Sequence, residues 1–138
     1  MNAQFINEAW TDLYYYLHYQ HEESLTHQNI RCMQAVKKNK DATIQFLSDA
    51  LQVTHHTASE HVKRLIQKGY LKKERSLQDK RIVYVRLTGL GEAVLKRNTE
   101  LDEEKLQSIL ERVSTEERQK IIEAFSLLRK EAKDVFSR

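Results

Sequence analysis

The amino-acid sequence predicts a mainly α-helical fold with one small β-hairpin, an α+β arrangement, in a chain of 138 residues. Apolar residues recur at helical spacing along most of the chain, and one run of β-branched and aromatic residues, IVYVR at 82–86, favours a pleated strand. Proline is absent and glycine occurs three times. Little in the sequence would therefore interrupt long helices.

The composition bounds the class of protein. Hydrophobic residues make up 40% and charged residues 31%, and no apolar run approaches the length of a membrane span. The start, MNAQFINEAW, lacks the cationic and apolar regions of a signal peptide, so we expect a cytoplasmic protein with no membrane contact. The single cysteine, Cys32, excludes a disulfide within the chain but leaves open a crosslink between chains or a reactive thiol.

The first predicted helix runs from Phe5 to Leu17 and is unusually aromatic. Its apolar residues follow a spacing of three and four and form a wide apolar face: Phe5, Ile6, Ala9, Trp10, Leu13, Tyr14 and Leu17. Tyr14, Tyr15 and Tyr16 are consecutive and cannot all face one core. At least one of them is left for solvent, a partner subunit or a ligand pocket.

Two shorter helices are predicted next. The second helix is indicated from Ile30 to an end near Lys38 to Lys40, after the polar segment HEESLTHQN. The segment ATIQFLSDALQVT predicts a very short strand at Thr43 and Ile44, then a third helix and a tight turn at residues 52–53. The residues expected to face inward from the third helix are Leu47, Ala50 and Leu51.

A fourth helix begins after Thr54, whose hydroxyl can accept an orphan backbone N–H as an N-cap. One face is apolar from Ala58 to Ile66, and Gly69 can end the helix as a left-handed residue. Two short helices joined by a tight turn, the second with a polar face, are typical of a helix-turn-helix that enters a DNA major groove. Hydrogen-bonding side chains suited to base edges and phosphates occupy that polar face: His55, His56, Thr57, Ser59, Glu60, Lys63 and Arg64.

A β-hairpin with a charged tip is predicted after the fourth helix, because KKERS and IVYVR flank the polar turn LQDKR. Between Thr54 and Arg86 the chain has nine Lys or Arg and three Asp or Glu, a net charge of +6, whereas the whole chain is only +3. Positive charge is thus concentrated on the helix and hairpin, as in a phosphate-binding surface. The sequence predicts a DNA-binding winged helix; a charged face that only meets solvent is the alternative.

The remaining helices carry more apolar surface than a small core can cover. Thr88 can cap a helix in which Gly89 and Gly91 would allow close packing against the preceding strand, and an interrupted apolar stripe continues to about residue 112. Ser114 and Glu117 form a capping-box pattern that opens a terminal helix. We infer a dimer, because a symmetric two-fold interface commonly buries such faces. The apolar residues of the terminal helix are Ile121, Ile122, Phe125, Leu128, Ala132, Val135 and Phe136.

Three segments resemble those of MarR-type transcriptional regulators. LSDALQVTHHTASEHVKRLIQKGYL at 47–71 is similar to the family's helix-turn-helix, DKR at 79–81 to its wing, and LTGLG at 87–91 to the motif that follows the wing. The resemblance implies a single MarR-like domain over residues 1–138. Within it, residues 25–90 would form the winged helix-turn-helix, and residues 1–24 and 91–138 the dimerisation helices.

The same resemblance implies a function, namely a homodimer that binds double-stranded DNA at a pseudo-palindromic operator and usually represses transcription. Arg81 would enter the minor groove, with Asp79 orienting its guanidinium, and the residues after Thr54 would read the major groove. Ser48 replaces an alanine that the family often has, and a histidine pair opens the fourth helix, so the base preference is not carried over. The expected DNA contacts are Thr54, His55, His56, Thr57, Ser59, Glu60, Lys63, Arg64, Arg75, Asp79, Lys80 and Arg81.

A small aromatic effector is a further expected partner. Trp10, Tyr14 and His18 recur at i, i+4 and i+8 and form one stripe, which Cys32 and Met33 of the second helix could approach. Such a lining would suit a flat aromatic acid. Plain packing between the helices is the alternative.

Two sensing mechanisms remain as alternatives to the effector. Histidine, carboxylate and thiolate groups at His18, His21, Glu22, His27 and Cys32 would suit zinc, although their spacing fits no strong motif. Oxidation of Cys32 would require an exposed thiolate.

An enzyme is not predicted, nor is a cofactor. The sequence has no phosphate-cradling glycine loop, no CxxC metal site and no evident activating group beside its cysteine. A winged helix that contacts only proteins would have an uncharged wing, unlike LQDKR.

Overall fold

The computed structural model describes residues 2–137 and confirms the mainly α-helical fold with one hairpin. The contacts divide the chain after Glu100 into a first unit, which contains the hairpin, and a second unit of two helices. Within residues 2–137, none of the helices combines the length and apolar character that a membrane span needs. The elements are α1 (Ala3–Leu17), α2 (His27–Lys38), α3 (Ile44–Leu51), α4 (His55–Gln67), β1 (Leu71–Arg75), β2 (Val83–Leu87), α5 (Gly89–Thr99), α6 (Glu103–Arg112) and α7 (Thr115–Phe136).

The core of the first unit lies among α2, α3, α4, the hairpin and α5. On α4 the predicted apolar face is buried through Ala58, Val62 and Leu65, whereas Ile66 is only half-buried. Burial of one face holds α4 in place and leaves its polar face outward. The buried apolar residues are Cys32, Met33, Val36, Ala42, Leu47, Leu51, Ala58, Val62, Leu65, Leu71, Val85, Val94 and Leu95.

Side-chain caps fix where the helices begin. The Thr54 hydroxyl accepts the N–H of Thr57 at 3.1 Å, as predicted for the start of α4. The predicted capping box is present in both directions, because Ser114 accepts the Glu117 N–H and the Glu117 carboxylate accepts the Ser114 N–H, each at 3.0 Å. Each cap satisfies a donor that the helix itself cannot pair.

Gly69 ends α4 in the left-handed region, with φ of 83°. The N–H of Tyr70 donates to the carbonyl of Leu65, and the N–H of Gly69 donates to that of Ile66, both at 2.9 Å. These two bonds form the Schellman arrangement that a C-terminal glycine permits. The chain then turns directly into β1, which pairs antiparallel with β2 from Leu71 opposite Leu87 to Arg75 opposite Val83.

The predicted strand at Thr43 and Ile44 is wrong. Thr43 is the N-cap of α3, accepting the N–H of Phe46 at 3.1 Å, and Ile44 is the first helical residue. The cap outweighs the β-propensity of these two residues. The chain still meets the hairpin one residue earlier, where the Ala42 carbonyl accepts the N–H of Val85 at 2.8 Å.

Two further predictions need correction. The second helix begins at His27, three residues before Ile30, because the Thr26 hydroxyl caps it by accepting the N–H of Asn29. Close packing was expected of Gly89 and Gly91, but a Cβ at Gly89 would meet nothing within 4 Å.

Candidate nucleic-acid interface

The polar face of α4 is presented as one surface. His55, His56, Lys63 and Arg64 are exposed, and Thr57, Ser59 and Glu60 are half-buried. Among residues 2–137, neither Lys63 nor Arg64 has an ion-pair partner, so both charges are available to a ligand. This surface matches the chemistry of base edges and phosphates.

Thr54 and Thr57 belong to the predicted contact set, yet their hydroxyls are engaged at the helix start. The Thr54 hydroxyl accepts the Thr57 N–H and donates to the Thr57 hydroxyl at 3.0 Å. These two residues therefore position the start of α4, and each hydroxyl keeps capacity for a further hydrogen bond.

The tip of the hairpin is organised by Ser76, a residue that sequence reasoning missed. Its hydroxyl accepts the N–H groups of Gln78 at 3.2 Å and Asp79 at 3.1 Å, and its own N–H donates to the Ile82 carbonyl at 2.9 Å. Ser76 is only 8% exposed, which is unusual for a residue at a turn. A serine directly before a polar turn is the sequence signal that could have indicated this role.

Asp79 and Arg81 form a two-pronged ion pair at that tip. Arg81 Nε and Nη2 donate to Asp79 Oδ1 and Oδ2, each at 3.1 Å, and the Arg81 N–H donates to Oδ1 at 3.0 Å. The Arg81 guanidinium lowers the pKa of Asp79 below its usual value, and the Asp79 carboxylate raises the pKa of Arg81. The side chain of Arg81 nevertheless remains 90% exposed, so Asp79 orients a guanidinium that still faces outward.

Two other cations of the hairpin have distinct surroundings. Arg75 donates to the backbone carbonyl of Lys80, which ties the end of β1 to the tip, while the Lys80 side chain is exposed. Arg86, on the other face of the hairpin, pairs with Glu74 at 3.2 Å and lies over the ring of Tyr84 at 4.7 Å. Arg86 thus braces the strands.

The predicted effector residues are only partly brought together. Tyr14 and His18 stack with ring centroids 5.3 Å apart, and Trp10 is 49% exposed on the same helix. Cys32 and Met33 are completely buried in the core of the first unit, so the prediction that they line a pocket with Trp10 is wrong. Cys32 and Met33 lie on the side of α2 that packs against the other core elements.

A polar network that the sequence did not indicate links α1 and the following loop to α5. The Tyr14 hydroxyl donates to the Asn98 carbonyl at 3.2 Å and lies 3.3 Å from His21 Nε2. The Glu23 carboxylate accepts from Arg97 Nε at 3.0 Å and Asn98 Nδ2 at 3.2 Å. The Arg97 hydrogen bond is the main cause of the lowered pKa of Glu23.

Neither sensing alternative finds support in this geometry. Burial raises the pKa of the Cys32 thiol to about 11, so the exposed thiolate that oxidation sensing requires is contradicted. His18 and His21 have ring centroids 5.5 Å apart. No group of three His, Cys, Asp or Glu side chains in the described part of the chain is arranged to hold a metal ion.

Comparison with known proteins identifies the family and the fold of the chain. A family model described as "Transcriptional regulator SarA/Rot" matches residues 15–98. None of the curated proteins matches the chain.

Among solved structures, the chain is similar to S. aureus MepR bound to ethidium bromide, with 18% identity, TM-score 0.64, and 93% of this chain and 91% of that chain covered. It is also similar to Streptococcus pneumoniae FabT in complex with DNA, with 24% identity, TM-score 0.61, and coverage of 96% and 99%. A zinc-responsive MarR family member, Lactococcus lactis ZitR, has 17% identity, TM-score 0.51, and coverage of 95% and 99%. At these identities the likeness establishes a shared MarR-type fold.

Proposed function

The chain belongs to the SarA/Rot family of DNA-binding transcriptional regulators, and on that premise we propose that it is a repressor that binds a pseudo-palindromic operator as a homodimer. The observation that carries the proposal is the outward-facing Arg81, held by Asp79 at the tip of a hairpin that follows the exposed polar face of α4. The structure of FabT in complex with DNA supports DNA binding by a protein of this fold.

In this proposal α4 enters the major groove and Arg81 enters the neighbouring minor groove. His55, His56, Thr57, Ser59 and Glu60 face base edges, while Lys63 and Arg64 neutralise phosphates or contact guanine. A narrow minor groove has an enhanced negative potential, which favours the Arg81 guanidinium. The remaining predicted DNA contacts lie next to α4 or to Arg81, and they are Thr54, Arg75, Asp79 and Lys80.

The homodimer is proposed because the second unit leaves its apolar residues in water. Within the described residues of α6 and α7 no residue is buried, and Ile122 and Phe125 are each 49% exposed on α7. On α1, Phe5 is 68% and Trp10 49% exposed. A second copy would cover such stripes in a symmetric two-fold interface and would match the symmetry of a palindromic operator. We thus retain residues 1–24 and 91–138 as the dimerisation part and residues 25–90 as the DNA-binding part.

Release by a small aromatic effector is the second element of the proposal. Trp10, Tyr14 and His18 offer an exposed or half-buried aromatic stripe beside the network that joins α1 to α5. An effector acts only if it binds one arrangement of the DNA-binding parts better than another. MepR bound to ethidium bromide supports aromatic ligands for this fold. Loss of operator affinity with salicylate in the native protein, but not in Tyr14→Ala, is the expected result.

The experiment that tests the proposed function is selection from a randomised duplex library, followed by transcription in vitro. We expect enrichment of two inverted half-sites about 10 base pairs apart, centre to centre. Placed across a promoter, the selected duplex should lower transcription when the protein is added. A library that yields no enriched motif would contradict specific binding, and undiminished transcription would contradict repression.

A further inference from the structure

A groove of about 700 Å³ lies between the start of α3, the start of α4 and the hairpin. Its lining, all within the described part of the chain, includes His55, Lys73, Arg75 and Arg81 and contains no Asp or Glu. Three cationic side chains, two from β1 and one from the hairpin tip, therefore share one concave surface with His55 of α4. A positively charged surface inside a cleft concentrates anions, since the low-dielectric walls focus the electric field.

Lys73 is the cation of this groove that has no internal partner. Arg75 is bound to the Lys80 carbonyl and Arg81 to Asp79. Lys73 is exposed and makes no hydrogen bond or ion pair to any residue in the range 2–137. On β1 it lies opposite Val85 of β2, whose N–H is bound to the Ala42 carbonyl.

The start of α3 adds polar hydrogens to the same groove. Thr43 uses its hydroxyl for the N–H of Phe46 at 3.1 Å and its carbonyl for the N–H of Leu47 at 2.9 Å. The first N–H groups of a helix have no partner within it, so those of Ile44 and Gln45 are left for solvent or an anion. Since the preceding Ala42 carbonyl is bonded to β2 at 2.8 Å, the start of α3 is fixed relative to the hairpin.

We propose that this groove holds a phosphate of the DNA backbone and that Lys73 binds it. The inference rests on the proposed function, in which α4 occupies the major groove and Arg81 the neighbouring minor groove. One sugar-phosphate strand separates those two grooves of the duplex, and it must pass between α4 and the hairpin tip. His55 at the start of α4 and Arg81 at the hairpin tip both line the protein groove. The sugar-phosphate strand that runs between α4 and the tip therefore passes over Lys73.

The test compares Lys73→Gln with Lys72→Gln. Both are exposed lysines on β1, and both substitutions remove one charge. The two positions differ because successive side chains of a strand point to opposite faces, and Lys72 does not line the groove. Affinity for the selected duplex and for a mixed-sequence duplex is measured by fluorescence anisotropy over a salt series. Thermal unfolding verifies that both variants are folded.

We expect Lys73→Gln to weaken binding to both duplexes about tenfold and to reduce the salt slope by about 0.9 per protomer, as loss of one phosphate contact requires. Lys72→Gln should stay within about twofold of the native protein. Equal behaviour of the two variants would overturn the inference alone. A native protein that binds neither duplex would instead defeat the proposed function, and the inference with it.

A free anion is the other source of the same chemistry. Inorganic phosphate at millimolar concentration is added to the native protein and to Lys73→Gln, and the amide resonances of Ile44 and Gln45 are followed. We expect no saturable difference between the two proteins. Saturable shifts in the native protein alone, together with unchanged DNA affinity in Lys73→Gln, would assign the groove to a small phosphate and overturn the DNA assignment.

Discussion

Gly91 of α5 lies directly against the backbone carbonyl of Tyr70, at the junction between α4 and β1. A Cβ at position 91 would overlap the carbonyl oxygen and lie 2.9 Å from the carbonyl carbon. Thr88 strengthens the junction, because its N–H donates to the Tyr70 carbonyl at 3.0 Å and its hydroxyl to the Gly69 carbonyl at 2.6 Å. The base of the hairpin is thus fixed to α5 by the hydrogen bonds of Thr88 and by the close approach of Gly91, which only a residue without a side chain permits.

Gly91→Ala should therefore destabilise the protein by about 2–4 kcal/mol, since the obstacle is backbone and cannot rotate away. Gly89→Ala is the matched control in the same helical turn, because a Cβ there meets nothing within 4 Å. Its effect should stay within about 1 kcal/mol. Denaturant unfolding of both variants measures the difference, and equal stability of the two would contradict the close packing.

Much of the fold could be predicted because its signals are local. The caps at Thr54 and Ser114 and the stop at Gly69 depend on residues within one helical turn, and the structure has all three. Thr43 misled the prediction because threonine both favours strands and caps helices. In the structure the capping role prevails, because the Thr43 hydroxyl accepts the N–H of Phe46.

The candidate site could be predicted in part. The resemblance of DKR at 79–81 to the MarR wing implied the ion pair of Asp79 and Arg81, whereas Ser76 needed knowledge of the turn geometry. The placement of Lys73 beside the start of α3 depends on contacts between distant segments. The inward orientation of Cys32 also depends on contacts between distant segments, because helical spacing alone did not determine which side of α2 faces the core.

The acid stability of the protein should depend on Glu23. Its pKa in the folded state is lowered, chiefly by the hydrogen bond from Arg97, so the stabilisation is complete above the unfolded-state value of 4.5 and is lost as pH falls through the folded-state value. The Tm of Glu23→Gln should lie below that of the native protein at neutral pH, and this gap should narrow in acid. Thermal unfolding between about pH 7 and pH 3 measures it.

Glu92→Gln serves as the control for Glu23→Gln. Glu92 pairs with Lys37 at 3.4 Å, but both side chains are more than half exposed, at 56% and 54%. Exposed pairs contribute little, so this variant should follow the native Tm at every pH. A Tm difference between the native protein and Glu23→Gln that stays constant down to acid pH would show that the Glu23 carboxylate charge does not stabilise its contact with α5.

Cys32 should resist modification in the native protein. Its side chain is completely buried and burial raises its pKa to about 11, so little thiolate exists at neutral pH. Iodoacetamide should label the denatured chain at least about a hundredfold faster than the native one, as mass spectrometry can follow. Native labelling at the rate of the denatured chain would restore oxidation sensing as a hypothesis.

The stripe on α7 should decide the oligomeric state. Ile122→Asp and Phe125→Asp place charges on exposed apolar positions, so they should dissociate a dimer without removing any buried core contact. Lys120→Asp, on the opposite face of the same helix, is the control and should remain dimeric. Sedimentation at micromolar concentration distinguishes these outcomes. A native monomer at that concentration would refute the homodimer.

The most direct test of DNA binding through α4 and the hairpin tip is the affinity of Arg81→Ala for the selected duplex, measured by fluorescence anisotropy. Lys105→Ala, which removes one charge from α6, is the control. We predict that Arg81→Ala weakens binding by about 1–3 kcal/mol, while Lys105→Ala binds as the native protein does. Equal affinity of Arg81→Ala and Lys105→Ala for that duplex would contradict the proposed role of the Asp79–Arg81 pair.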